Sequence, residues 1–233
     1  MNPVKNIVPI KNFSRYVLKN RDTISNKDFS RQLHQLRKSY GRTYHAEDTF
    51  SREADMLADE LFDLNKYDFV SIIMSTLCKI NRYRMDALEF FARKGLSIAE
   101  IQGDYVHMVA RLNDLRNIYF NNPAYKNEYI HVLRKEENYL KIITQSYDNA
   151  KKSFCTCGHK MAPIKTYELM LAQIQADLAK YIKNSNPQEA KKKLTSALRL
   201  FNKHGVQKPV NYIAHIYVEI LRKNKYPRTR HNL

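Results

Sequence analysis

The chain has 233 residues, 43% of them apolar, with 40 Lys and Arg against 23 Asp and Glu for a formal net charge of +17. That apolar share is close to the globular norm and excludes disorder of the whole chain, while five Gly and seven Pro are too few to turn the many short strands of a sandwich or barrel. An all-α fold is expected, and the charge attracts polyanions over about a Debye length, roughly 8 Å at physiological salt, without naming a reaction.

Residues 1–44 hold ten basic and two acidic side chains, and Met1 to Ile10 lacks the apolar run of a secretory signal. Ser25 is a helix cap with Asp28 three residues on, and Phe29, Leu33, Leu36 and Tyr40 follow at helical spacing before Gly41. A second helix is expected from about Ser51, with Ala54, Leu57, Leu61 and Leu64 on one side. Its other side carries Glu53, Asp55, Asp59, Glu60 and Asp63, the one acidic surface, suited to a protein contact or to docking against a basic end of this or a second chain.

From Asp68 to about Lys79 the residues are apolar on nearly every side, the pattern of a helix enclosed by others. Twelve such residues cannot cross a hydrocarbon layer that needs about 20, so no membrane span is expected. Another helix, Met85 to Phe91, is expected to end at Gly95, after which Ser97 and Glu100 form an S-x-x-E start box. Ile98, Ile101, Tyr105, Met108, Leu112, Leu115 and Tyr119 then predict one unbroken helix to Asn121.

Ile130, Leu133, Leu140, Tyr147 and Phe154 form a second seam over 124–154, with Glu137 as its single acidic intruder. A helix of that length would measure about 46 Å against a radius of gyration of about 17 Å for a globule of this size, so 97–154 is expected to form a long, protruding antiparallel hairpin. Beyond it, Tyr167, Met170, Ile174, Leu178 and Tyr181 mark a helix, and Asn186-Pro187-Gln188-Glu189 starts another, lined by Ala190, Leu194, Ala197 and Phe201 and stopped by Gly205. Pro209 opens the last, with Val210, Ile213, Tyr217 and Ile220 inward, and the tail from Lys223 to Leu233 reads as a mobile arm. Residues 161–233 hold fourteen basic and four acidic side chains.

The expected architecture is an irregular bundle of about eight to nine helices, organised as an N-terminal region (1–96), the hairpin (97–154) and a basic C-terminal region (161–233) in one continuous unit. Phosphate binding needs grouped cations, and single-strand binding adds aromatic faces. Arg37, Lys38 and Arg42 interleave with Tyr40, Tyr44 and His45 at the front. Lys191, Lys192, Lys193, Lys208, Lys223, Lys225, Arg228 and Arg230 supply the back. Two stretches outline a helix-turn-helix: Ala99, Gly103, Val109 and Leu112, with Asp104 where an apolar residue is wanted, and Leu198 to Ile213 around Gly205.

Chemistry is otherwise sparse. Cys155, Cys157 and His159 form C-x-C-x-H, short of the paired C-x2-C of structural zinc sites, so no metal is expected. Arg199 and His204 match the R-x4-H spacing of some helical ribonucleases, but chance alone supplies about 1.6 such matches. With no Gly-rich phosphate loop, H-E-x-x-H, G-x-S-x-G or EF-hand loop, no catalytic residue and no cofactor is assigned. Three cysteines without a signal suggest a reduced, cytoplasmic protein. The reading is a non-catalytic DNA- or RNA-binding accessory protein contacting mainly phosphate. Its alternative is a helical assembly or scaffolding protein that self-associates into a homo-oligomer or binds an acidic protein.

Overall fold

Where the sequence is apolar on every side, the first core has its centre. In the computed structural model, which describes residues 10–41, 43–120, 122–147 and 161–225, this run is the helix α4 (Tyr67–Ile80). Phe69, Val70, Ile72, Ile73, Met74, Leu77, Cys78 and Ile80 are all buried along it. Around it stand α1 (Ile10–Asn20), α2 (Asn26–Tyr40), α3 (Tyr44–Asp63), α5 (Met85–Gln102) and α6 (Tyr105–Tyr119). The described residues form ten α-helices and one 3-10 turn, with no strand among them, as the composition requires.

The chain divides into two compact units, one of residues 1–118 and 151–161, the other of 119–150 and 162–233. In the first, Phe13, Phe29 and Phe69 stack in a row with centroids 5.8 and 4.4 Å apart, tying α1 and α2 to α4. The Ser25 cap is present, its hydroxyl accepting from Asp28 N–H at 3.1 Å, and Gly41 follows α2 at φ 87°. Helix α3 starts earlier than its apolar period suggests, because Thr43 caps it through Ala46 N–H. Ala54, Leu57 and Leu61 are buried, whereas Leu64, past the helix end, is 41% exposed.

Two start and stop signals prove to have other roles. Gly95 does not end a helix but lies buried inside α5, where its missing side chain admits Arg111 and Met74. Ser97 is correspondingly no cap; its hydroxyl donates to Arg93 O within the helix. The break comes at Gly103, left-handed at φ 66°, with Asp104 N–H bonded to Ala99 O and Gly103 N–H to Glu100 O. The seam expected to run unbroken from 97 to 121 is therefore the end of α5 plus α6, and Ile101, placed on it by spacing, is 56% exposed.

The second unit is built from four helices: α7 (Lys126–Gln145), α8 (Ile164–Ile182), α9 (Pro187–Lys203) and α10 (Lys208–Lys225). The 31-residue helix expected from the seam at 124 is instead a 3-10 turn, Pro123–Tyr125, followed by the 20 residues of α7, which stop at Ser146. Phe154 lies outside the described residues. The segment 97–154 is thus shared between the two units, with α7 packed on α8. Ala172, Ala176, Ala179, Ile182, Ala190, Leu194, Ala197, Phe201, Ile213, Ile216 and Ile220 make the core joining α8, α9 and α10. Burying Leu194 and Phe201 stabilises α9 by about 2 kcal/mol each, more than a 17-residue helix gains from propensity alone. Asn186 caps α9 through Glu189 N–H, Pro187 is its first residue, and Gly205 (φ 67°) follows its end. Helix α10 continues to Lys225, so Lys223 and Lys225 belong to its last turn rather than to an arm.

Candidate nucleic-acid interface

The front cluster is not assembled as a stacking platform. Tyr40 turns inward: its hydroxyl donates to Glu53 Oε2 at 2.6 Å and accepts from Ile10 N–H at 3.0 Å, while its ring meets Phe50 edge-on. Burial and the Glu53 bond push its phenol up to about 12. Tyr44 is exposed, but the Arg84 guanidinium covers its ring at 4.7 Å. Arg37 lies 3.7 Å from Glu47, Lys38 is exposed, and Arg42 lies outside the described residues.

The carboxylates near α3 are matched from within their own unit. Asp48 meets Arg84 at 2.8 Å, and that hydrogen bond holds its carboxyl below the usual range. Arg52 reaches the same carboxylate at 3.5 Å. Lys94 bridges Asp55 and Asp59 at 2.6 Å each; burial works against its charge, but the two bonds prevail and raise it. Of the five carboxylates of the acidic face, Asp55 and Asp59 are thus taken by Lys94 and Glu53 by the Tyr40 hydroxyl, while Glu60 and Asp63 are exposed; Arg37, on Glu47, is the one front-cluster cation among the described residues in ion-pair contact with a carboxylate.

The second unit collects cations differently. Its helices alternate in direction, and four contacts fix which ends coincide. Tyr129 near the start of α7 meets Tyr181 at the end of α8, with centroids 5.0 Å apart. Arg134 of α7 approaches Glu189 at the start of α9 at 3.8 Å. Lys183, just past α8, pairs with Glu219 of α10, and Lys191 of α9 lies 5.8 Å from the Tyr217 ring. The starts of α7 and α9 and the ends of α8 and α10 therefore share one end of the unit.

At that end Lys126, Lys180, Lys191 and Lys192 are exposed, and none is in ion-pair contact with a carboxylate among the described residues. Lys223 and Lys225 stand six and eight residues beyond Tyr217, about 9 and 12 Å further along α10 at 1.5 Å per residue. Of the cations singled out from sequence, Lys191 and Lys192 lie at this end, and Lys223 and Lys225 continue α10 beyond it. Lys208 begins α10 and so lies at the other end, and Arg228 and Arg230 fall outside the described residues.

Lys193 has a different task. Its ammonium is 2.6 Å from Glu137 Oε2 and 3.6 Å from Glu189 Oε1, and only 13% of the side chain is exposed. Glu137 is buried and also takes Lys141 at 2.8 Å and the Gln175 amide at 3.3 Å. Burial opposes its charge, yet the two lysine bonds lower its carboxyl below the ordinary value. The acidic intruder on the α7 seam is thus the anchor of an interhelical ion pair, and Lys193 is committed to it rather than to a ligand.

The remaining motifs resolve into packing. Glu168 accepts from Lys203 at 2.7 and 2.9 Å and lies 2.6 Å from His204 Nε2, which ties the end of α9 to the start of α8. His204 of the R-x4-H match is therefore held by a carboxylate, while Arg199 is exposed. The turn at Gly103 does restore the first helix-turn-helix outline, with Asp104 fully buried and capping α6 through His107 N–H at 3.0 Å. But the cations of α6 are Arg111, buried against Met74 and Asp114, and Arg116, bonded to Asn113. That helix presents no basic reading face. In the second outline Val206 packs on the core, and of Lys208 and Asn211 only their place on α10 is described.

Cys155, Cys157 and His159 lie outside the described residues. Among the described ones no group of three or more His, Cys, Asp and Glu is placed to hold a metal ion, and no helix is long and apolar enough to cross a membrane. Sequence reasoning passed over Lys126 and Lys180, which stand alone in the chain and are grouped only through the antiparallel pairing. It also passed over a cavity of about 170 Å³ at the same end, lined by Tyr119, Asn122, Pro123, Lys126, Tyr129 and Tyr181. No protein-family model matches the chain, and no curated protein or solved structure shows significant similarity to it.

Proposed function

We propose that this chain is a non-catalytic nucleic-acid-binding protein that contacts phosphate through the shared helix end of its second unit. The observation that carries the reading is the grouping of Lys126, Lys180, Lys191 and Lys192, from three helices and free of carboxylate partners among the described residues, beside the last turn of α10 with Lys223 and Lys225. Residues 119–150 and 162–233 together hold 18 Lys and Arg against 8 Asp and Glu, a net +10, so the local field favours polyanions. Lys191 and Lys192 sit in the first turns of α9, where the helix dipole disfavours cations, and a bound phosphate offsets that cost. Lys38 and Arg42 of the first unit are proposed as secondary contacts.

Anisotropy titration of labelled DNA and RNA against salt tests this reading. Six phosphates neutralised on a duplex predict a log-log slope of about −5 and a loss of about 10³-fold in affinity between 50 and 200 mM salt. Absence of binding at 50 mM salt, or binding indifferent to salt, overturns it. The alternative, a helical assembly protein, draws on an unbroken heptad seam, a helix too long for the globule and segregated charge of both signs. The seam is interrupted at Gly103 and α7 stops after 20 residues, while of the acidic face Lys94 takes Asp55 and Asp59 and Glu60 and Asp63 stay exposed.

A further inference from the structure

The tyrosine-lined cavity lies at the same helix end as the lysines, and its walls are held in place before any ligand arrives. Tyr119 and Tyr129 are each 2% exposed. Tyr119 stacks on Tyr125 with centroids 5.2 Å apart and planes at 25°. Tyr129 is braced by Tyr181 at 5.0 Å on one side and by Phe120 at 6.0 Å on another. Tyr119 and Tyr129 thus form a fixed floor, and Tyr181, half-buried, is the lining tyrosine with surface left for a flat ligand; a ring held by its neighbours loses little freedom when a base packs on it, which is the condition for stacking to yield net affinity.

Size and polarity narrow the ligand. An enclosed cavity of about 150 Å³ accepts a benzene-sized ring; the pocket here, about 170 Å³ and open to solvent on one side, holds one six-membered ring with its substituents within its walls, and a fused pair would extend out of them. Two polar groups line it. Asn122 uses its Oδ1 to accept Ala124 N–H at 3.1 Å, which leaves the carboxamide NH₂ available as a donor to a ring carbonyl. The exposed Lys126 ammonium supplies a charge for the phosphate attached to such a ring.

We infer that this pocket takes a pyrimidine base of a single-stranded nucleic acid whose flanking phosphates lie on Lys126, Lys180, Lys191 and Lys192. A duplex keeps its bases paired and stacked and has none to offer. The inference rests on the nucleic-acid reading of the same end and goes beyond it, since phosphate contacts alone discriminate neither strand state nor base.

The test uses the full chain and four labelled probes of equal length at 50 mM salt: an oligothymidylate, its abasic-spacer counterpart, an oligoadenylate and a duplex. One base seated against tyrosine predicts that the oligothymidylate binds about 5- to 100-fold more tightly than the abasic strand, with the adenylate and the duplex close to the abasic level. Tyr181→Leu should bring oligothymidylate down to the abasic level without altering the salt slope, and Tyr181→Phe should restore the preference. If Tyr181→Leu fails to fold, the comparison of probes on the unaltered protein decides alone. Equal, salt-dependent binding of all four probes overturns the pocket and leaves the phosphate reading standing. An adenylate bound as tightly as the thymidylate overturns the pyrimidine assignment, and no binding of any probe overturns both readings.

Discussion

A methyl group added at Gly95 would come 3.0 Å from Arg111 Cδ and 3.1 Å from Met74 Cβ. The Arg111 stem can yield, but Met74 Cβ is attached to the α4 backbone and moves only if the helix does. Gly95→Ala gains up to about 1 kcal/mol of helix propensity and loses about 1–3 kcal/mol to overpacking, so a net destabilisation of about 1 kcal/mol is predicted in urea unfolding. A stabilised variant would show that α4, α5 and α6 are not in close contact there. At Tyr40, replacement by Phe leaves Glu53 and Ile10 N–H without a partner and is predicted to cost about 1–3 kcal/mol. Its phenol is raised from the ordinary 10.0 to about 12, so its stabilising contribution is complete below pH 10 and is lost as pH rises through about 12. The Phe variant should therefore be less stable at neutral pH and should lose less in that alkaline window, as followed by circular dichroism.

At the scale of helices, α7 and α9 are joined by charge. Glu137→Gln removes the carboxylate and leaves the largely buried Lys193 only its longer contact with Glu189 at 3.6 Å, and a loss of about 1–3 kcal/mol is predicted, against no measurable change for Lys192→Gln on the exposed face. The carboxyl of Glu137 is depressed below its ordinary 4.5, so the pair stabilises above that pH and the contribution is lost as pH falls through the lowered value. The gap between native and Glu137→Gln melting temperatures should accordingly close in acid; a constant gap would place the effect in packing instead. Much of this level was legible in the chain. Ser25 and Asn186 act as caps because their side-chain oxygens accept N–H groups only three residues on, and Gly205 as a stop through its own φ, so all three need nothing beyond the local chain. Gly95 and Gly103 misled in opposite directions, since a glycine that makes room for another helix and one that ends its own look alike until the neighbour is known. Glu137 was visible as an intruder, but its partner lies 56 residues away on another helix.

For the molecule as a whole, composition decided the all-α class and the net positive charge on which the proposed function rests, whereas the grouping of the lysines came only from antiparallel pairing. Lys126 and Lys180 are ordinary surface lysines in sequence and become a group because α7 and α8 run in opposite directions, with Tyr129 against Tyr181. The front cluster shows the converse: its residues are adjacent in the chain, yet Tyr40 turns its hydroxyl to Glu53 and Arg37 faces Glu47. The most direct test compares two quadruple variants of equal charge change for binding of a labelled single strand between 50 and 200 mM salt. One replaces Lys126, Lys180, Lys191 and Lys192 by Gln; the other replaces Lys11, Arg15, Lys19 and Lys27, exposed cations of the first unit. The first should flatten the log-log salt slope by about 3, at about 0.7 for each phosphate of a single strand that is no longer neutralised, and the second should leave it nearly unchanged. Equal flattening by both would mean that overall charge, and not this helix end, holds the nucleic acid.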